Sequence, residues 1–103
     1  MKVIWIPFAK KQVRQTAKYI NKEFGKSART KFLLNVHESN RLIGINPKIG
    51  KVEPTLVARA IEYRSLVTAH LNKIVYCEEE DHVTVVAFWD CRRDPNTLAA
   101  QVR

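Results

Sequence analysis

The sequence predicts an α+β domain of order β-α-α-β-β-β closed by a short C-terminal helix, with the two long helices sharing one face of a sheet. Three observations predict it. Apolar residues recur at helical spacing through two consecutive segments, first Val13, Ala17, Ile20 and Phe24, then Ala28, Phe32, Val36 and Ile43. From about Arg59 the period changes to two. Pro7, Gly25, Asn46-Pro47 and Asp94-Pro95 punctuate the chain where one period gives way to the next.

Val3 to Ile6 reads as a short strand stopped by Pro7, and proline suits the first turn of a helix because its missing N–H would find no intrahelical partner there. The first helix carries Lys10, Lys11, Arg14, Lys18 and Lys22 away from its apolar stripe, so its exterior is basic. Gly25 is placed to end it with a left-handed cap, and Ser27 to cap the next helix by accepting a backbone N–H bond. The second helix, helped by Leu33, ends at Asn46-Pro47-Lys48-Ile49-Gly50. Lys51 to Val57, broken by Pro54, reads as a connecting loop with no assigned chemistry. Three strands follow: Arg59 to Leu66, Leu71 to Cys77, and Val83 to Asp90. The acidic turn Glu78-Glu79-Glu80-Asp81-His82 joins the last two as an antiparallel hairpin and discourages edge-to-edge aggregation. Asp94 and Pro95 supply an N-cap and first-turn proline for a closing helix that places Leu98 and Val102 four apart.

At 103 residues the chain is expected to form one domain, residues 1–103, and its 46% hydrophobic content supports a packed core. Eighteen Lys and Arg against ten Asp and Glu give +8 at pH 7. The excess is local, with fifteen basic and four acidic residues over 1–76 but three and six over 77–103. A pI near 9.8 favours a polyanionic partner: RNA, DNA, the ribosome or an acidic protein segment. No apolar run approaches the roughly 20 residues of a membrane span, and no cleavable signal precedes the first strand. A cytoplasmic protein is expected. Cys77 and Cys91 lack disulfide-scaffold density and zinc-site spacing, so both read as reduced, buried and inert.

Candidate chemistry rests on cations. Tyr63 and Arg64 point to opposite faces of their strand. If Tyr63 goes inward, Arg64 stands on the open face beside Lys73, and Arg92 and Arg93 curl over the same face from the end of the last strand. Arg64, Lys73, Arg92 and Arg93 together would hold a phosphate, because Arg offers a planar fork of donors and Lys a compact charge. The structural alternative for Arg64 is pairing with Asp90 or Glu62. Histidine's unperturbed pKa suits a general base, but His70 reads as a turn residue, and His37 and His82 read as surface residues. Trp89 and Trp5 read as core. Without a Cys/His cluster, a Gly-rich loop or a nucleophile elbow, no metal, nucleotide or other cofactor and no small-molecule substrate is expected.

The Tyr63-Arg64 pair, the Lys73-Ile74-Val75-Tyr76 strand and the closing Phe88-Trp89-Asp90-Cys91-Arg92-Arg93-Asp94-Pro95 resemble, in order and spacing, the toxins of the RelE/ParE superfamily. The resemblance covers essentially the whole chain. It implies two helices on one face of a twisted antiparallel sheet, and a type II toxin-antitoxin, plasmid-stabilisation role in which growth arrest is neutralised by a cognate antitoxin whose disordered segment wraps the toxin. The superfamily's ribonucleases cleave messenger RNA on the ribosome. Arg92 stands where they carry an arginine after the last strand, and Lys73 where many carry an Arg. Where they carry lysines along the preceding strand, this chain has Ala60 and Glu62, and where a C-terminal Tyr or His-Tyr would complete the site it has Leu98. These departures lean the expectation to a ParE-like, non-enzymatic poison of DNA gyrase. The alternatives are a ribosome-dependent mRNA endonuclease and a non-toxic nucleic-acid-binding module of the same fold.

Overall fold

The computed structural model describes residues 1–102, with the side chain of His70, weighed above as a base, outside the described residues. The order is β1 (Lys2–Trp5), α1 (Pro7–Phe24), α2 (Lys26–Ile45), β2 (Lys51–Val52), β3 (Tyr63–Thr68), β4 (Asn72–Glu78), β5 (His82–Asp90) and α3 (Pro95–Gln101). Single 3-10 turns lie at Pro54–Leu56 and Ala69–Leu71. The five strands form one sheet in the order β1-β5-β4-β3-β2. It is a mixed sheet rather than an antiparallel one, because β1 pairs parallel with β5 while the other neighbours run antiparallel. A parallel edge is open to β1 because most of the chain, both long helices included, lies between it and its partner.

Both faces of the sheet are covered. On one, α1 and α2 bury Ala9, Ala17, Ile20, Phe32, Val36 and Ile43 against Ile74, Tyr76, Val83, Val85 and Phe88. On the other, α3 lays Leu98 and Val102 over Tyr63, Val75, Cys77, Ala87 and Trp89. The open face expected from the sequence is therefore half closed, by a helix of only seven residues. Asp94 caps that helix as the sequence predicts, accepting a bond of 2.9 Å from the Asn96 N–H. Arg59 holds its other end, donating to the Ala99 and Val102 carbonyls at 2.5 and 2.6 Å.

Several local expectations shift. Gly25 turns the chain from α1 into α2 by itself, with φ 95°, donating to the Asn21 carbonyl at 3.0 Å and accepting from the Arg29 N–H at 3.1 Å. One residue thus closes one helix and opens the next, which leaves Ser27 inside the first turn of α2 and not at its cap. Phe24 keeps its helical spacing but is 67% exposed, on the rim of the groove described below. The third strand starts at Tyr63, four residues later than predicted, and Arg59 is drawn instead to the end of α3. The supposed loop after α2 contributes β2, and its buried Glu53 extends the pairing by donating its N–H to the Tyr63 carbonyl at 2.8 Å. Cys77 is buried, and burial pushes its thiol up. Cys91 is exposed, in the turn that follows β5, contrary to the sequence reading. Trp89 is core as expected, and Trp5 ties β1 to α2 by donating to Asn40 Oδ1 at 2.7 Å.

Candidate functional site

Alternation along β3 and β4 decides where the four predicted cations go. Arg64 lies opposite Tyr76, whose ring belongs to the core under α1 and α2, so Arg64 points to that side. Lys73 lies opposite Trp89, which belongs to the core under α3, so Lys73 points to the other side. The two do not share a face. The predicted convergence of all four cations on one open surface is not present, because Tyr63 goes inward beneath α3 and sends Arg64 to the side of the long helices.

Each of the four has a committed partner. Arg64 donates through one terminal nitrogen to the Gly50 carbonyl at 2.8 Å and sets the other 3.2 Å from Glu62 Oε1. Glu62 was one of the two structural partners weighed for it. The Gly50 end is closed further by Tyr76, whose hydroxyl donates to the Pro47 carbonyl at 2.7 Å and accepts from the Gly50 N–H at 2.9 Å. Lys73 Nζ donates to Glu53 Oε1 at 2.6 Å, in a pair whose carboxylate side chain has no solvent exposure. Burial by itself would raise the Glu53 pKa, but the Lys73 bond and the Thr55 N–H, at 3.0 Å, outweigh it and hold the carboxyl at about 2. Sequence reasoning missed this pair. A glutamate in a proline-broken loop carries no local signal of burial, and only the opposite charge of Lys73 could have suggested it.

Arg92 and Arg93 do stand together. Arg92 grips Asp90 with two parallel bonds of 3.0 and 2.8 Å while its backbone N–H donates to the same carboxylate at 2.8 Å. The guanidinium bond holds the Asp90 pKa below, and the Arg92 pKa above, their ordinary values. Arg93 stacks over the Trp89 ring at 4.1 Å from its centroid. This turn forms one wall of a groove of about 810 Å³ whose other wall is α1, with Phe8, Gln12, Tyr19 and Phe24 along it. Gln12 also donates order, since its Oε1 accepts the Phe88 N–H at 2.9 Å and fixes α1 to β5 at this point. Leu71, on the rim, has φ 61°, a left-handed conformation that a branched side chain adopts at a cost, and its carbonyl accepts the Cys91 N–H at 2.8 Å.

Arginines beside an aromatic and apolar groove wall can bind an acidic, partly apolar segment or an anion. His37 is exposed on α2. His82 sits in the acidic turn 2.7 Å from Asp81 and 2.9 Å from Glu79, and the Asp81 bond raises its pKa. Neither lines the groove. Leu98, where the nuclease pattern would have its last polar residue, is buried between α3 and the sheet, while Ala60 and Glu62 are exposed. Among the described residues no group of three His, Cys, Asp or Glu could hold a metal, and no helix is long and apolar enough to cross a membrane.

The fold has a counterpart among solved structures. A chromosomal ParDE TA system from P. aeruginosa contains a chain that superposes with a TM-score of 0.70 at 11% identity, over 87% of this chain and 95% of that one. At that identity the likeness is one of fold. A search of curated protein sequences gave no match. The sequence pattern of the ParE toxin of type II toxin-antitoxin systems, parDE, matches residues 3–95, a span that takes in both long helices, β2 to β5, all but the first residue of β1 and the Arg92-Arg93 turn, and the chain belongs to that toxin family.

Proposed function

We propose that this toxin arrests growth in the cytoplasm by engaging DNA gyrase as a binding poison, without cleaving RNA, and that a cognate antitoxin keeps it silent. The observation that carries the reading is the dispersal of the four cations. Positioning a ribose hydroxyl for attack on its own phosphate requires several cations around one phosphorus. Arg64 and Lys73 lie on opposite sides of the sheet, and Lys73 is held by a buried carboxylate. Family membership supports the antitoxin, and the groove beside Arg92 and Arg93 is suited to an acidic segment that orders on binding, with Tyr19 and Phe24 as exposed aromatic anchors.

Induction in a bacterial host lacking the antitoxin, with labelled leucine and thymidine followed over the first minutes, tests this. Thymidine incorporation falls first, with a DNA-damage response. Leucine collapsing first would replace gyrase by the ribosome and make Arg92 and Arg93 catalytic candidates. Continued growth with folded protein present would leave a non-toxic binding module of the same fold.

A further inference from the structure

The first 31 residues hold most of the charge of the chain, and that charge is arranged. Lys10, Lys11, Arg14, Lys18, Lys22, Lys26, Arg29 and Lys31 face one acid, Glu23, between Pro7 and Lys31, a local balance of +7 within a total of +8. All eight are exposed, and none makes an ion pair with a described residue. On α1, Lys10, Arg14, Lys18 and Lys22 follow one another every fourth residue, with Lys11 beside them. At roughly 100° per residue these five fall within about 120° of arc, turned away from the buried Ala9, Ala17 and Ile20. At about 1.5 Å rise per residue the row runs close to 18 Å along the axis while winding gently round the helix, with a cation every 6 Å of axis or so.

The arrangement works against the helix that carries it. Like charges four residues apart repel, and neither α1 nor α2 has an acidic residue in its first turn to meet the positive end of its dipole. A helix placed merely in solvent would gain from alternating signs. This one keeps a single sign along its whole exposed ridge.

We infer that the α1 ridge is a docking surface for the phosphodiester backbone of duplex DNA. Charge complementarity selects a polyanion, and the residue types select among polyanions. Six of the eight cations are lysines, a residue depleted from protein–protein interfaces but suited to phosphates as a point charge. No aromatic side chain interrupts the five-cation arc, so it has no platform on which unpaired bases would stack. A convex rod bearing evenly spaced cations matches a duplex, which presents one negative charge per about 1.7 Å of axis. The inference goes beyond the proposed target, since it holds for the isolated toxin whether gyrase or the ribosome is poisoned.

The test is fluorescence anisotropy of the antitoxin-free chain with a 20-base-pair DNA duplex over a range of salt. Five phosphates neutralised by the ridge give a slope of about −4.5 in log K against log salt, so that affinity falls about 500-fold between 50 and 200 mM. The variant Lys10→Gln/Arg14→Gln/Lys18→Gln keeps helix-forming residues at exposed positions. Its slope is expected near −1.8, with a loss of about 12-fold over the same range. The control Lys2→Gln/Arg41→Gln/Lys51→Gln removes the same charge from exposed positions off the α1 ridge and leaves the slope of the wild type. Equal effects of the two triples mean that net charge alone binds DNA, and the ridge is not a site. A slope that the first triple does not move overturns the inference, as does tighter, equally triple-sensitive binding to a single-stranded RNA of the same length.

Discussion

Replacing Lys73 by methionine removes the one cation that neutralises Glu53 while keeping most of the volume of the side chain. The Glu53 side chain has no solvent exposure and Lys73 only 17%, so an unpaired carboxylate is left in the interior. Losing one partner of a buried pair costs about 3–5 kcal/mol, a large part of the roughly 5–15 kcal/mol that stabilises a domain. For a chain of this size the lower figure lowers the melting temperature by roughly 12–24 °C. The same pair has a pH signature. Folding depresses the Glu53 pKa from 4.5 to about 2, so its stabilisation is complete above pH 4.5 and disappears as the pH falls toward 2. That difference corresponds to roughly 3 kcal/mol. Urea unfolding followed by circular dichroism at pH 7, 4 and 2.5, on the wild type and on Glu53→Gln, isolates it from the other carboxylates. The reasoning is refuted by a Lys73→Met variant within about 1 kcal/mol of the wild type, or by a wild type and Glu53→Gln that lose stability in parallel below pH 4.5. The pair also settles how a Lys73 phenotype is to be read. In the double variant Lys73→Met/Glu53→Met no charge is left stranded, and stability is expected back within about 1–2 kcal/mol. If that protein still arrests growth, Lys73 builds the fold and does not touch the target.

Gly50→Ala is expected to cost about 2–3 kcal/mol by overpacking, because a β-carbon there would lie 2.6 Å from the Tyr76 hydroxyl and 2.7 Å from the Ser65 carbonyl oxygen. Thermal denaturation checks it, and an unchanged melting temperature would mean that the Pro47–Gly50 turn has room to move. Arg59→Ala removes two charge-assisted bonds from the end of α3, a loss of roughly 2 kcal/mol. Amides of residues 98–102 then exchange faster than those of α1, and uniform acceleration across both helices would show that Arg59 does not act locally.

The helical half of the chain was legible because its signals are local. Pro7 at the start of α1, the apolar spacing of Ala17, Ile20, Phe32, Val36 and Ile43, and the Asp94-Pro95 start of α3 each act within a turn or two of themselves. Boundaries slipped where one residue serves two elements, as Gly25 does, or where a distant partner takes the backbone, as β2 takes β3. Glu53 and Arg59 were invisible as structural residues for a related reason. Their partners, Lys73 and the α3 carbonyls, lie 20 and about 40 residues away in sequence, and no periodicity joins them.

The arginine turn faces away from Arg64 for a reason that lies in one extra residue of β5. On β4, Val75 and Tyr76 are consecutive, but their partners on β5 are Ala87 and Val85, so Val86 is inserted as a bulge. Strict alternation from Val83 and Val85 would carry Ala87 and Trp89 to the side of the long helices as well. The bulge reverses the phase. Phe88 goes under α1 and α2, edge-on to Phe32 with centroids 5.9 Å apart, and Trp89 goes under α3. Arg93 can stack on Trp89 only from that side, and Arg92 reaches back to Asp90 at the strand end. The motif Trp89-Asp90-Cys91-Arg92-Arg93 therefore orients itself, its arginines directed by the two residues just before them, and nothing in it reaches across to Arg64. A bulge changes neither composition nor spacing in the sequence, and so the arginine turn could be found in the chain while its direction could not.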